Sequence, residues 1–218
     1  MKMDEGAVNG YMLGLIVVIT LGYLMLIGVG FCNASRSKYN VENAQVEAGF
    51  AGFRSSENYY VNEGNLQLDR TRFDQSYQSF LSHLKKNLNL TNQNDGSRQL
   101  MPQEGSYFPC KDHKGNPVYG EVQEYIMYVV NSGSVTDPGK IQYYKSVEGN
   151  VQQGTSSGMD ISYAGETVLR VSDLTGASTD NCLILCTKVK YPQTTILSDT
   201  TYFTKTCVVR WKSGHKKK

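Results

Sequence analysis

One string in the chain has the spacing of an activated nucleophile. Gly154-Thr155-Ser156-Ser157-Gly158 satisfies G-x-S-x-G, the pattern that sets a serine on a sharp strand-to-helix turn. A serine so placed needs a buried strand before it, a helix after it and a later histidine to take its proton. Here Gly149-Asn150-Val151-Gln152-Gln153 precedes, strand-like sequence follows, and the later histidine is His215 in the tail SGHKKK. The string therefore reads as a Gly/Ser turn. H-E-x-x-H, the P-loop and the dinucleotide fingerprint are absent from the sequence. Asp180 and Asp199 read as acidic loop residues without a partner. The chain is expected to have no catalytic residue, no cofactor, no small-molecule substrate and no enzymatic activity.

Thiols are the other candidate chemistry. Five cysteines divide into Cys32 and four beyond it: Cys110, Cys182, Cys186 and Cys207. Four permit two disulfides in three pairings. Cys182 and Cys186 stand four apart on what reads as one strand, so they share a face yet lie too far apart to bridge each other. Cys207, in the next strand, is the natural partner of one of them; four buried free thiols are the alternative. A zinc site is not expected, because no C-x-x-C occurs and the three histidines are scattered.

The elements that position these residues start with a run without charge from Gly6 to Ser35. Its apolar heart, Tyr11–Cys32, is 22 residues long and as a helix covers the ~30 Å hydrocarbon layer of a bilayer. A cleaved secretory signal fits poorly. Lys2 is offset by Asp4 and Glu5, the run exceeds an h-region, and Cys32-Asn33-Ala34 only loosely imitates a cleavage site. A lipoprotein signal is excluded because Phe31, not a small residue, precedes Cys32. A retained anchor remains. Gly10 and Gly14 form a Gly-x-x-x-Gly pair, with Gly22 expected on nearly the same face two turns on, and such residues let helices approach closely in lipid. Arg36 and Lys38 lean weakly towards a cytoplasmic C-terminal part by the positive-inside rule.

Behind the anchor, the Tyr-, Thr- and Val-containing composition is that of a globular α+β domain. The spacing predicts 1–10 as a stub, 11–32 as the membrane helix and 33–53 as its continuation. A domain then covers 54–211, and 212–218 is a basic tail solvated rather than bound to nucleic acid. Tyr39, Val46, Phe50 and Phe53 give the continued helix an apolar stripe, and Gly49 and Gly52 mark where it frays. A second helix follows Asp69 as N-cap, with Phe73, Tyr77, Phe80, Leu81, Leu84 and Leu88 on one face. Residues 89–105 read as loop. Val118–Val130, Lys140–Val147, Thr167–Val171, Cys182–Tyr191 and Tyr202–Trp211 read as strands of a mostly antiparallel sheet.

Gly6-Ala7-Val8 before a long apolar helix, its Asn/Ala-containing extension NASRSKYNVENAQVEAGFAGF and the late strand Cys182–Tyr191 before Pro192 together resemble the TadE/TadG-like pseudopilins of tight-adherence pilus machinery. The resemblance implies an N-terminal helix that is first anchor and then spine, carrying a small β-rich domain outside the cytoplasm. It implies partners that are other pilin-like proteins or copies of the chain, met through that helix, with incorporation into a surface filament or secretion assembly. It also implies processing between Gly6 and Ala7, Gly10 being the second candidate. Type IV-like pilins carry Glu at the fifth mature position, which here is Tyr11 or Leu15. The resemblance is thus to an accessory or membrane-resident component. The reading from a different class is a membrane-tethered binding or adhesion module with no assembly role.

Overall fold

The computed structural model describes residues 5–63, 70–92, 99–130, 141–147, 150–156, 161–163, 165–169, 182–195 and 198–212. Its first element, α1 (Glu5–Glu63), is a single helix of 59 residues, about 88 Å long at 1.5 Å per residue. It outruns the expected end at Gly52 by three turns, with no proline to stop it. Gly49 and Gly52 do not fray it; both are buried. A Cβ on Gly49 would stand 2.9 Å from Val209 Cγ2 and 3.3 Å from Leu185 Cδ2, and one on Gly52 would stand 3.2 Å from the Tyr125 hydroxyl. Bare Cα atoms here let the helix lie close against its neighbours. The expected stripe is corrected in the same way. Tyr39 and Phe50 are 65% and 52% exposed, while Val41, Ala44, Gln45, Ala48 and Phe53 are buried. Of the expected stripe Phe53 is buried and Val46 half-buried, and the rest of the packed face is Val41, Gln45 and the small residues Ala44, Ala48, Gly49 and Gly52.

Helix α2 (Arg70–Leu88) forms as the periodicity predicts. Phe73, Ser76, Phe80, Leu84 and Leu88 are buried, and Lys85 and Lys86 occupy the last turn, where the helix dipole favours positive charge. The expected N-cap, Asp69, lies outside the described residues. The helix stops at Asn89, whose φ of 53° is the left-handed conformation of a C-terminal cap. Asn89 Nδ2 donates to the Glu104 carbonyl, and Ser106 Oγ donates to the Leu88 carbonyl at 3.0 Å.

Residues 89–105 are not all loop: β1 (Leu90–Asn92) and β2 (Gln99–Pro102) pair antiparallel. They are too short for alternation to register in the sequence. The other main strands are β3 (Gly120–Val130), β4 (Ile141–Val147), β5 (Asn150–Ser156), β8 (Cys182–Thr195) and β9 (Ser198–Lys212). A separate hairpin comprises β6 (Ile161–Tyr163) and β7 (Glu166–Leu169). Every pairing is antiparallel. β3 is the spine: β8 runs along one side of it, β2 and then β4 along the other, with β1 outside β2, β5 outside β4 and β9 outside β8. Gly154, Thr155 and Ser156 lie within β5 rather than in a turn; Ser157 and Gly158 lie outside the described residues.

One face of this sheet carries both helices. A bulge between Val122 and Glu124 shifts the alternation of β3, so that Val122, Tyr125 and Met127 all reach the core. Phe73 lies 5.3 Å from Tyr125 and 5.4 Å from Tyr144 between ring centroids, and Phe80 lies 5.2 Å from Tyr125. Aromatic contacts thus weld α2 to β3 and β4. Ser76 Oγ bonds the Gly52 carbonyl and the Tyr125 hydroxyl, each at 2.8 Å, which joins α1, α2 and β3 at one buried point.

The expected disulfides are not made among the described residues. Cys32, Cys110, Cys186 and Cys207 are free. The β8–β9 register explains why: Cys186 faces Val208 and Cys207 faces Thr187, so the two thiols project to opposite faces of the sheet. Cys182 is opposite Lys212, five positions and ~17 Å along the strand from Cys207. Burial pushes the Cys186 thiol up to about 12, and the Cys207 thiol up to about 11 with help from the Glu42 carboxylate. Both are neutral small hydrophobes. Cys110 Sγ donates to the Gln103 carbonyl at 3.4 Å.

Candidate membrane and assembly surface

Helix α1 has two lives along one axis. From Tyr11 to Phe31 its large apolar side chains are exposed, Tyr11 by 75% and Phe31 by 74%. The span's best 18-residue window has a mean hydropathy of 2.5, and none of it is buried. An exposed apolar surface of this extent marks a membrane or protein contact. Tyr11–Cys32 as a helix is ~33 Å long, enough to cross the hydrocarbon layer. Its backbone is bonded internally, and Thr20 Oγ1 donates to the Ile16 carbonyl at 2.8 Å, so the hydroxyl also has its partner without water. This is one N-terminal helix long and apolar enough to span a membrane.

Past Asn40 the same helix becomes a core element. Gln45 Nε2 donates to Thr187 Oγ1 at 3.2 Å and to the Lys205 carbonyl at 3.1 Å. Lys205 Nζ pairs with Glu42 Oε2 at 2.8 Å. On the other flank, Asn87 Nδ2 donates to Glu47 Oε2 at 2.7 Å, and Ser79 Oγ donates to the Ala51 carbonyl at 3.0 Å. The domain therefore grips α1 from β8, β9 and α2 at once, and its position is fixed relative to the exposed half.

Gly10, Gly14 and Gly22 all lie on that exposed half, and a Cβ on any of them, or on Gly28, would meet nothing within 4 Å. At about 100° per residue, Gly10, Gly14 and Gly28 fall within about 40° of one another. Tyr39 and Phe50, exposed further along, fall in the same sector. The sheet-packed residues Val41, Gln45 and Ala48 centre about 150° away. Gly22 stands about 80° from Gly14, so it flanks this ridge instead of belonging to it. Spacing had gathered Tyr39 and Phe50 into one stripe but had not joined them to Gly10, Gly14 and Gly28; the common signal is angular position over the whole helix. Gly6 and Ala7, the expected processing pair, lie in the first turn of α1.

Asp112 is the best-bonded acid outside the core. Its carboxylate accepts from Lys114 N and Asn116 N at 2.8 Å and from Asn116 Nδ2 at 2.9 Å. Those bonds, the Asn116 side chain first, hold it below the usual carboxylate range. They close the turn 112–116. Among the described residues, no three His, Cys, Asp or Glu side chains gather to hold a metal ion. Comparison with protein-family models, curated proteins and solved structures finds no match.

Proposed function

We propose that this chain is a pilin-like membrane component of a surface or secretion assembly, of the TadE/TadG-like kind, with its domain outside the cytoplasm. The observation that carries the reading is the ridge of Gly10, Gly14, Gly28, Tyr39 and Phe50, directed away from the sheet. A neighbouring helix laid along it meets bare backbone in the lipid and aromatic side chains above it. The domain holds mainly the other side of α1, through Val41, Ala44, Gln45 and Ala48, and closes over this sector only at its upper end, where Val46 is half-buried and Phe53 buried. Lacking a Glu at Tyr11 or Leu15, such a subunit has no carboxylate to neutralise a neighbour's terminal amine. An accessory or membrane-resident place suits it better than the main fibre.

The test is association in the native membrane. A photo-crosslinker at Leu13 reports neighbours in the wild type, and Gly10→Leu with Gly14→Leu removes the close approach. Loss of the crosslinked species with unchanged membrane yield supports assembly. An undiminished crosslink pattern, or none in the wild type, means that α1 is a tether and the proposal fails.

A further inference from the structure

A pocket of about 410 Å³ opens where α1 leaves its apolar run, between Asn33, Arg36 and Ser37 of the helix, Tyr107, and Gln193 near the end of β8. Its depth follows from the packing of α1 on β8. Gln45 touches Thr187, and twelve helical residues rise ~18 Å while six strand residues rise ~20 Å, so Gln193 arrives beside Asn33. Asn33–Ser37 rises a further ~6 Å from the last apolar residue, which is the thickness of the headgroup zone on one side of a bilayer. β8 thus accompanies the helix down to the membrane surface and walls a cavity there.

Resting on the membrane-spanning reading of α1, we infer that this pocket binds the phosphodiester of a phospholipid headgroup. Arg36 supplies the charge. It is exposed and no described carboxylate pairs with it, since the nearby acid Glu42 is engaged by Lys205 at 2.8 Å. A guanidinium fork matches two phosphate oxygens. Gln193 supplies the second observation: it is only 7% exposed, and its Nε2 has no hydrogen-bond partner. A buried amide donor without an acceptor is a group that an occupant's oxygen satisfies. Asn33 and Ser37 add polar atoms to the same wall. Around the pocket, Tyr107, Tyr202 and Phe203 are 48%, 47% and 43% exposed, and Lys190 Nζ lies 4.7 Å from the Tyr202 ring centroid. Amphipathic rings with a cation beside them belong at a membrane–water boundary. A lipid is favoured over free phosphate because the pocket adjoins the apolar run, where acyl chains continue from the headgroup.

The test uses the full chain in dodecyl maltoside micelles, followed by nuclear magnetic resonance at the Gln193 side-chain amide and Arg36 Nε–H. Dihexanoyl-phosphatidylglycerol and inorganic phosphate are the probes. The lipid is expected to shift both signals saturably. Arg36→Gln is expected to weaken it ~10-fold or more, Lys38→Gln, about 160° round the helix, less than ~2-fold, and inorganic phosphate to bind ~10-fold more weakly than the lipid. No saturable shift, or an Arg36→Gln chain that binds as well as the wild type, overturns the inference. Inorganic phosphate binding as tightly as the lipid overturns its lipid half. Carbonate extraction of the wild type from proteoliposomes separates the two readings. A chain that stays in the bilayer with a silent pocket defeats this inference alone, and a chain that extracts defeats the membrane reading beneath it.

Discussion

Gly49→Ala places a methyl group where α1 crosses the cross-strand pair Leu185–Val209. The new Cβ would lie 2.9 Å from Val209 Cγ2, 3.4 Å from Val209 Cβ and 3.3 Å from Leu185 Cδ2. Ordinary contact begins near 3.5 Å, so either the valine or the helix must move by about half an ångström. Val209 is β-branched and stiff at χ1, and Gln45 and Glu42 bind the helix to β8 and β9 one and two turns away. Overpacking of this kind costs about 1–3 kcal/mol. Replacing a helical glycine by alanine returns about 1 kcal/mol. The net expectation is a loss of about 0–2 kcal/mol. Val209→Ala in the same chain removes the opposing methyls, so the double variant should be more stable than the two single losses sum to, by about 1–2 kcal/mol. Urea unfolding of the full chain in dodecyl maltoside, followed by near-ultraviolet circular dichroism, measures both. Gly22→Ala, which meets nothing within 4 Å, is the control and should not destabilise the domain. A Gly49→Ala chain stabilised by about 1 kcal/mol, with no coupling to Val209, would refute the close approach of helix to sheet.

Ser76→Ala should destabilise the domain by about 1–3 kcal/mol, since it leaves the buried Tyr125 hydroxyl without its Ser76 partner and removes the side-chain tie to the Gly52 carbonyl. Tyr125→Phe added to it should cost less than Tyr125→Phe alone, and strict additivity in urea unfolding would contradict the shared bond. Cys186 and Cys207, with thiols raised by burial to about 12 and about 11, should react with iodoacetamide at pH 8 about a hundredfold more slowly than half-buried Cys110, which lies outside the apolar run. Peptide mapping by mass spectrometry reads this, and equal rates would contradict the burial. Because their folded pKa values lie above the ordinary 9.0, the unfolded chain loses these protons first as pH rises. The stability they contribute is full below pH 9 and falls through about pH 11–12. Cys186→Ala with Cys207→Ala should flatten that fall.

The apolar half of α1 was legible because an uncharged apolar run is a compositional signal that needs no tertiary context. The sheet-facing half was not. Ala44, Ala48, Gly49 and Gly52 carry little hydrophobicity, so periodicity pointed to Tyr39, Val46, Phe50 and Phe53, of which the structure buries Phe53, half-buries Val46 and leaves Tyr39 and Phe50 exposed. In the domain, β3, β4, β8 and β9 announced themselves through β-branched and aromatic runs between turn residues, whereas β1 and β2, at three and four residues, gave no alternation to read. The cysteine pairing failed for a register reason. Which face Cys186 and Cys207 take is decided by Thr195 pairing with Ser198 and by the irregularity after Gln193, and spacing along the chain holds neither. The pocket at Arg36 was invisible for a similar reason, because Gln193 reaches Asn33 only once β8 lies along α1.

That α1 divides between bilayer and domain is tested most directly by a nitroxide scan of the full chain in phospholipid bilayers, one labelled position at a time from Asn9 to Phe53. Collisions with oxygen and with an aqueous nickel chelate are compared at each position. Oxygen should dominate at Gly14, Val17, Leu21 and Leu24, the balance should cross over between Asn33 and Arg36, and both reagents should be shut out at Val41 and Ala48. Nickel contact at Gly14 to Leu24 equal to that at exposed Asn43 would contradict the division.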